Sequence, residues 1–275
     1  KIQRSKAEIV EQFKGKEELQ SALENNEFVL HFQPIISLRG GYTSGFEALI
    51  RWEHPTRGLL SPFHFIDIAE QTNMIVPIGE WVFREACLKS RDFDAHTAKV
   101  NAPEVFISVN ISAKQFAVPN MVERFKTIAE ETGIDVSRIQ LEITESVLME
   151  DAETSNRMLR ELKEYGFKLV LDDFGTGYSS LSYLHQFPID KLKIDRSFTH
   201  AMLTDQDSLE IVRAIAGLSH NMDIKIVAEG IETMEQLSLY RDLDCHYGQG
   251  YLISKPLPVK DVFNILGTRM AFGKP

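Results

Sequence analysis

"FKLVLDDFGTGYSS", residues 167–180, begins as a short apolar run, reaches two adjacent carboxylates, Asp172 and Asp173, and passes into glycines. Such a run is too short for a core helix, and the glycines that follow punctuate it. It reads as a buried strand that ends at a functional loop. Adjacent carboxylates repel each other, and a plain turn needs only one of them. Their placement at a strand end therefore raises the question of what they face.

Similar runs recur on both sides. They are "FVLHFQPIIS" (28–37), "GFEALIRW" (45–52), "VFISVNIS" (105–112), "IQLEITE" (139–145), "DKLKIDR" (190–196), "DIKIVAE" (223–229) and "YGQGYLIS" (247–254). Only "ISLRGGYTSG" separates the first two, which predicts an antiparallel hairpin around Gly40–Gly41. Later gaps carry helix signals. Ser61–Pro62 suits a helix start. "NMVERFKTIAEETG" and "DAETSNRMLRELKEYG" each end on a glycine that can adopt the left-handed cap conformation. "DQDSLEIVRAIAGLSHNM" and "TMEQLSLYRDL" are further amphipathic helices. Eight strands with helical crossovers predict an α/β fold of (β/α)8 barrel type. The rival is an open doubly wound sheet. Even spacing and the lack of a nucleotide-binding glycine fingerprint weigh against it.

Alternation along each strand then sorts the side chains by face. Phe46, Ala48, Ile50 and Trp52 form one face of their run, as do Ile107, Val109 and Ile111, and Ile139, Leu141 and Ile143 in theirs. Leu169 and Leu171, Leu192 and Ile194, and Ile224, Ile226 and Ala228 continue the pattern; these sets face the helices. The opposite face carries Glu47, Leu49 and Arg51; Ser108, Asn110 and Ser112; Gln140, Glu142 and Thr144; Val170 and Asp172; Lys191, Lys193 and Asp195; Lys225, Val227 and Glu229. Gln33 and Gln249 lie near the ends of the first and last runs. Glu47, Asn110, Glu142, Asp172, Lys193 and Glu229 are expected to converge on one barrel mouth. A single strand-end acid is usually a turn former and a single lysine is usually solvated. Four carboxylates with Asn and Lys at matching depth need cations. Their oxygen-rich chemistry suits Mg2+ or Mn2+, and the lack of a Cys or His cluster argues against structural zinc.

Composition narrows the partners. The 275 residues are 43% hydrophobic and 25% charged, ordinary for a globular protein with a real core. A formal net charge of −10 argues against duplex nucleic acid or an anionic membrane as the general partner. Cys87 and Cys245 lack metal-site spacing and read as reduced cytosolic thiols. No apolar run approaches the roughly 18 residues of a membrane helix, and no signal peptide is visible. The histidines are scattered, with no Ser/His/Asp pattern. The expectation is a cytoplasmic domain without membrane contact. The chain starts at Lys1 instead of Met and so reads as a fragment, outside which any upstream domain would lie. Residues 1–20 read as a helical extension or linker and 21–275 as the barrel domain.

Seven ordered motifs now point to a family: "EALIR" (47–51), "NIS" (110–112), "EITES" (142–146), "DDFGTGYSSL" (172–181), "KIDR" (193–196), "AEGIE" (228–232) and "QGYLISKPLP" (249–258). Together they closely resemble the EAL-domain family of cyclic di-GMP phosphodiesterases, from about residue 20 to about 268. The resemblance implies a modified TIM barrel whose first strand runs antiparallel. It implies two Mg2+ or Mn2+ ions, the first held by Glu47, Asn110, Glu142 and Asp172 and the second by Asp173 with Glu229. Lys193 would orient the attacking water, Gln249 would contact the site, and Glu145 would anchor the "DDFGTG" loop. Gln33, Leu49 and Arg51 would contact substrate. The implied reaction is hydrolysis of cyclic di-GMP to linear pGpG by a metal-activated water. A catalytically inactive cyclic di-GMP receptor is the alternative. A Schiff-base aldolase using Lys193 is a remote third, because anionic neighbours keep that lysine protonated. The resemblance also implies a homodimer and an upstream sensor or cyclase-like domain.

Overall fold

Eight strands close into a barrel in the computed structural model, which describes residues 6–175 and 184–269, with side chains from residue 12 onward. Gly177 and the rest of the "DDFGTGYSSL" loop beyond Gly175 lie outside the described residues. After a leading helix α1 (Lys6–Glu24), the chain forms the hairpin β1 (Phe28–Ser37) and β2 (Thr43–His54). The barrel continues through β4 (Phe106–Asn110), β5 (Ile139–Thr144), β6 (Lys168–Phe174), β7 (Lys191–Ile194), β8 (Lys225–Ala228) and β9 (Tyr247–Gly248). β1 pairs antiparallel with β2 and β9 and closes the ring, and every other barrel pairing is parallel. The antiparallel first strand follows from its short turn, since a parallel neighbour would need a crossover of a dozen residues or more. Two short strands extend the edges: β3 (Gly58–Leu60) on β2, and β10 (Leu257–Pro258) on β1.

Helices fill the crossovers. They are α2 (Ile66–Gln71), α3 (Ile75–Lys99), α4 (Ala113–Phe116), α5 (Met121–Thr132), α6 (Glu145–Glu150), α7 (Ala152–Tyr165), α8 (Arg196–Ala201), α9 (Gln206–Asn221), α10 (Met234–Asp242) and α11 (Val259–Val262). α5 stops where Gly133 adopts φ +64° and its N–H caps Ala129 and Glu130, as its sequence predicts. α3 presents Ile75, Ile78, Val82, Phe83, Ala86 and Phe93 at helical spacing. Phe93 packs between Phe32 of β1 and Phe46 of β2, with ring centroids 5.3 and 5.6 Å away. Phe83 stacks on Phe125 of α5 at 4.1 Å. Phe46 therefore faces the helices, and the alternation puts Glu47 inside. No described helix is long and apolar enough to cross a membrane, and both cysteines are free and buried.

Three readings from the sequence change. The last run is strand only at residues 247–248, because Gly250 turns the chain where any Cβ would lie 2.2 Å from the backbone of Ile231. Ser112 and Asp195 lie just past their strands, Asp195 still bordering the mouth cavity. Each caps a helix, Ser112 accepting from Gln115 N–H and Asp195 from Ser197 N–H. Lys225 is exposed at the start of β8.

Lys191 does point inward, but to the barrel floor instead of the mouth. Its Nζ lies 3.4 Å from the ring centre of Phe106 and 4.2 Å from that of Tyr247. It has no hydrogen-bond partner there. Burial, aided by nearby Lys225, pushes its pKa down to about 7. In the unfolded chain this amine stays protonated up to about 10.5, so the unfolded state binds more protons between those two values. The cost to stability is full below about pH 7 and is gone above about 10.5. Lys191→Met is expected to stabilise the fold by on the order of 3 kcal/mol at pH 7, with less than half that gain at pH 9.5. Urea denaturation of both chains at the two pH values checks this. A destabilised variant at both would mean that the ring contacts outweigh desolvation.

Candidate active site at the barrel mouth

The inward residues at the C-terminal ends of the strands form one ionic cage. Lys193, from β7, is 1% exposed and sits at its centre. Its Nζ lies 2.6 Å from Glu142 of β5, 2.7 Å from Glu229 beyond β8, 3.4 Å from Asp172 of β6 and 3.7 Å from Glu47 of β2. Asn110 of β4 donates its side-chain N–H to Glu47 at 2.7 Å. Gln249 donates to Glu47 at 2.7 Å and to Glu229 at 3.1 Å. The six residues expected to converge do so, with Gln249 bridging two of them.

Asp173 is the residue that simple alternation places outside. Two backbone features turn it back. The β6–β7 register shifts between Leu171 and Phe174, which inserts an extra residue into β6. Asp173 itself has φ +54°, in the left-handed region that Asp tolerates better than most side chains. A bulge of this kind re-aims side chains beside a site. Carboxylate oxygens of Asp172, Asp173 and Glu229 consequently lie within 4.8 Å of one another. Asp173 N–H also donates to the Asp172 carboxylate at 2.9 Å.

The electrostatics are those of a site short of positive charge. Burial works to raise Glu47, but the Lys193 ammonium and the bonds from Asn110 and Gln249 outweigh it, and Glu47 stays below the ordinary carboxylate range. Glu142 and Glu229 are driven up, first by burial and despite Lys193, with neighbouring carboxylates adding to the shift. Asp173 is also raised, by burial and by Asp172. Burial opposes the charge on Lys193, yet the four surrounding carboxylates hold its pKa well above that of a free lysine. Four carboxylates thus face the Lys193 ammonium among the described ion pairs, and Asp173 lies beside two of them. Divalent cations would offset this excess of negative charge. The donors are all oxygens, the preference of a hard cation. The buried Gln249 Oε1 has no hydrogen-bond partner. Both facts fit a cation or ligand at this mouth.

Outside the cage a cavity of about 390 Å3 opens, bordered by Gln33, Leu49, Arg196, His200, Glu232 and Tyr251 as well as Glu47, Asp173 and Glu229. Gln33 donates to the Ser254 carbonyl at 3.2 Å. Arg51 is half-buried beside the mouth and donates to the Ile50 carbonyl at 2.7 Å. It does not border this cavity. Glu145 opens α6 and lines a crevice with Phe174 and Leu184, which flank the undescribed part of the loop. Sequence reasoning missed Tyr251, Arg196, His200 and Glu232 as cavity residues. The motifs "KIDR", "AEGIE" and "QGY", which carry Arg196, Glu232 and Tyr251, were visible, but strand parity has no rule for residues beyond the strand ends.

Comparison with known proteins agrees with this geometry. The EAL domain model matches residues 16–256. The bifunctional diguanylate cyclase/cyclic di-GMP phosphodiesterase MucR of Pseudomonas aeruginosa is 42% identical over 257 residues, covering 93% of this chain and 37% of that protein. The cyclic di-GMP phosphodiesterase NbdA of the same species is 40% identical over 245 residues, covering 88% and 30% respectively. A solved structure described as the PaMucR phosphodiesterase in complex with c-di-GMP superposes with a TM-score of 0.85 at 41% identity, covering 90% of this chain and 99% of that one. The chain spans about a third of the length of the curated relatives it matches.

Proposed function

This chain belongs to the EAL domain family, and on that premise we propose that it hydrolyses cyclic di-GMP to linear pGpG with the help of two Mg2+ or Mn2+ ions. The observation that carries the proposal is the cage, in which five carboxylates and one ammonium share a single mouth. Glu47, Asn110, Glu142 and Asp172 would hold one ion, and Asp173 with Asp172 and Glu229 the other. When bound, divalent ions would supply Lewis acidity and a lowered pKa for an attacking water.

The chain's own residues set the rest. Without cations a phosphodiester would meet an excess of negative charge here, so the carboxylates discriminate against anions until the site is loaded. Lys193 stays protonated and is therefore a donor that orients and stabilises, never a base. Gln249 keeps Glu47 and Glu229 apart at fixed distance through its two donated bonds. Gln33 and Leu49, on the cavity wall, and Arg51 beside it would contact substrate, the guanidinium being suited to a phosphate. Glu145 would hold the loop after Asp173. The homodimer belongs to the same proposal, as does a sensor or cyclase-like domain elsewhere in a longer protein.

Incubation of the purified chain with cyclic di-GMP, with and without Mn2+ or Mg2+, tests the reading by chromatography of the products. The expected result is metal-dependent appearance of pGpG that stops on chelation. Tight binding without any cleavage would overturn the enzyme and leave a receptor.

A further inference from the structure

The peptide that carries Glu229 lies past the last β8–β9 ladder pair, Ala228 with Gly248. Its N–H donates to the Ile194 carbonyl at 3.2 Å. Its carbonyl accepts a hydrogen bond at 2.5 Å from Thr199 Oγ1 on α8, and that hydroxyl lies 2.7 Å from the hydroxyl of Tyr240 on α10. Thr199 and Tyr240 are wholly buried. Proton counting orders the chain. A carbonyl only accepts and a threonine hydroxyl has one proton, so Thr199 donates to Glu229 and Tyr240 donates to Thr199. Burial pushes the tyrosine hydroxyl far above its ordinary pKa, so it remains a donor at any working pH. Gln236 ties the same segment a second time, donating to the Thr199 carbonyl at 3.0 Å and accepting from Glu232 N–H at 2.8 Å.

We propose that the Tyr240–Thr199 hydroxyl pair is a positioning device for Glu229, which aims its carboxylate at Asp172 and Asp173 and so sets the affinity of the ion those three residues would share. The proposal rests on the reading of this mouth as a two-cation centre. Its logic is local. Gly230 follows with φ +68° and offers no side chain to steady the turn. The two peptides that flank Glu229 are each held, 228–229 at its N–H by Ile194 and 229–230 at its carbonyl by Thr199, while the side chain between them reaches Lys193 and Gln249. Without the carbonyl bond the backbone at Glu229 keeps one anchor instead of two, and the carboxylate gains freedom to shift with its Cα. A hydrogen bond behind a metal ligand of this sort typically governs affinity by 10- to 100-fold.

Mn2+ titration of the chelator-stripped chain, followed by the paramagnetic resonance of free Mn2+, tests the proposal without needing turnover. Thr199→Val keeps the shape and removes the donor. It should weaken the weaker of two Mn2+ ions by about 10-fold or more, and Thr199→Ser should restore it. Tyr240→Phe should shift the same ion in the same direction by less. Turnover should follow as a fall in kcat with little change in KM. A Thr199→Val chain with a lower melting temperature but wild-type Mn2+ binding would overturn the proposal, because the pair would then serve packing alone. Should that variant fail to fold, Tyr240→Phe decides, and wild-type binding in it is equally fatal. A wild-type chain that takes up two Mn2+ ions yet cleaves nothing sinks the hydrolase reading and leaves this one standing. A wild-type chain that binds no second Mn2+ sinks this one, whatever its activity.

Discussion

Lys193→Met is expected to cost the metal-free chain about 3–5 kcal/mol, the usual penalty for removing one partner from a buried ion pair. The variant is also expected to lose hydrolysis. Its Nζ is the one cation that the described structure places against Glu47, Glu142, Asp172 and Glu229. Removing it leaves these carboxylates facing each other in a site that already drives Glu142 and Glu229 upward in pKa. Methionine fills similar volume, so packing is not the cause of the loss. Divalent ions would supply part of the missing charge. Urea denaturation of wild type and variant, each with and without Mn2+, should therefore show a penalty that shrinks when Mn2+ is added. An unchanged midpoint in the metal-free variant would mean that the cage is neutralised by protons alone and that Lys193 is not its counter-ion.

The second large effect concerns Asp173. Asparagine tolerates the left-handed backbone that this position adopts at φ +54°, and it is isosteric. Asp173→Asn thus removes a charge without disturbing the bulge in β6. Kinetics with saturating cyclic di-GMP should show a fall of about 10²–10³ in kcat, as expected when several kcal/mol of metal-dependent stabilisation is lost. The melting temperature of the metal-free chain should hold or rise slightly, since Asp173 is raised in pKa by burial and by Asp172 and so contributes repulsion there. Retention of near wild-type turnover at saturating Mn2+ would remove Asp173 from the site assignment.

Much of the fold could be read one residue at a time. Leu141 and Leu192 sit between polar neighbours, Phe46 and Ile107 each precede one, and all four are buried with no more than 1% exposure. Gly133 and Gly166 mark the ends of α5 and α7 where the periodic runs stop. The turn between residues 37 and 43 is too short for anything but an antiparallel hairpin, which set the unusual first strand. Other features depend on distant partners. Lys191 and Lys193 share a face and differ by one pleat, yet one meets aromatic rings on the floor and the other meets carboxylates at the mouth. Nothing in "KLK" distinguishes them. The Thr199–Tyr240 pair was invisible for the same reason, as its members are far apart in sequence and belong to separate helices.

The amino-acid sequence alone determined which side chains share a face, because alternation is a property of the backbone of each strand and needs no neighbour. It also determined the chemical type of the mouth, an oxygen-rich set with one lysine. Tertiary structure decided depth and direction. The register of each parallel pairing, accumulated around the closed ring, brings Glu47, Glu142, Asp172 and Glu229 to one level around Lys193. The β6 bulge, which exists only because β6 pairs with β7, turns Asp173 against its own parity. Adjacent carboxylates that repel in an isolated strand thus become neighbours in a shared site, because closure of the barrel brings the compensating charge to them.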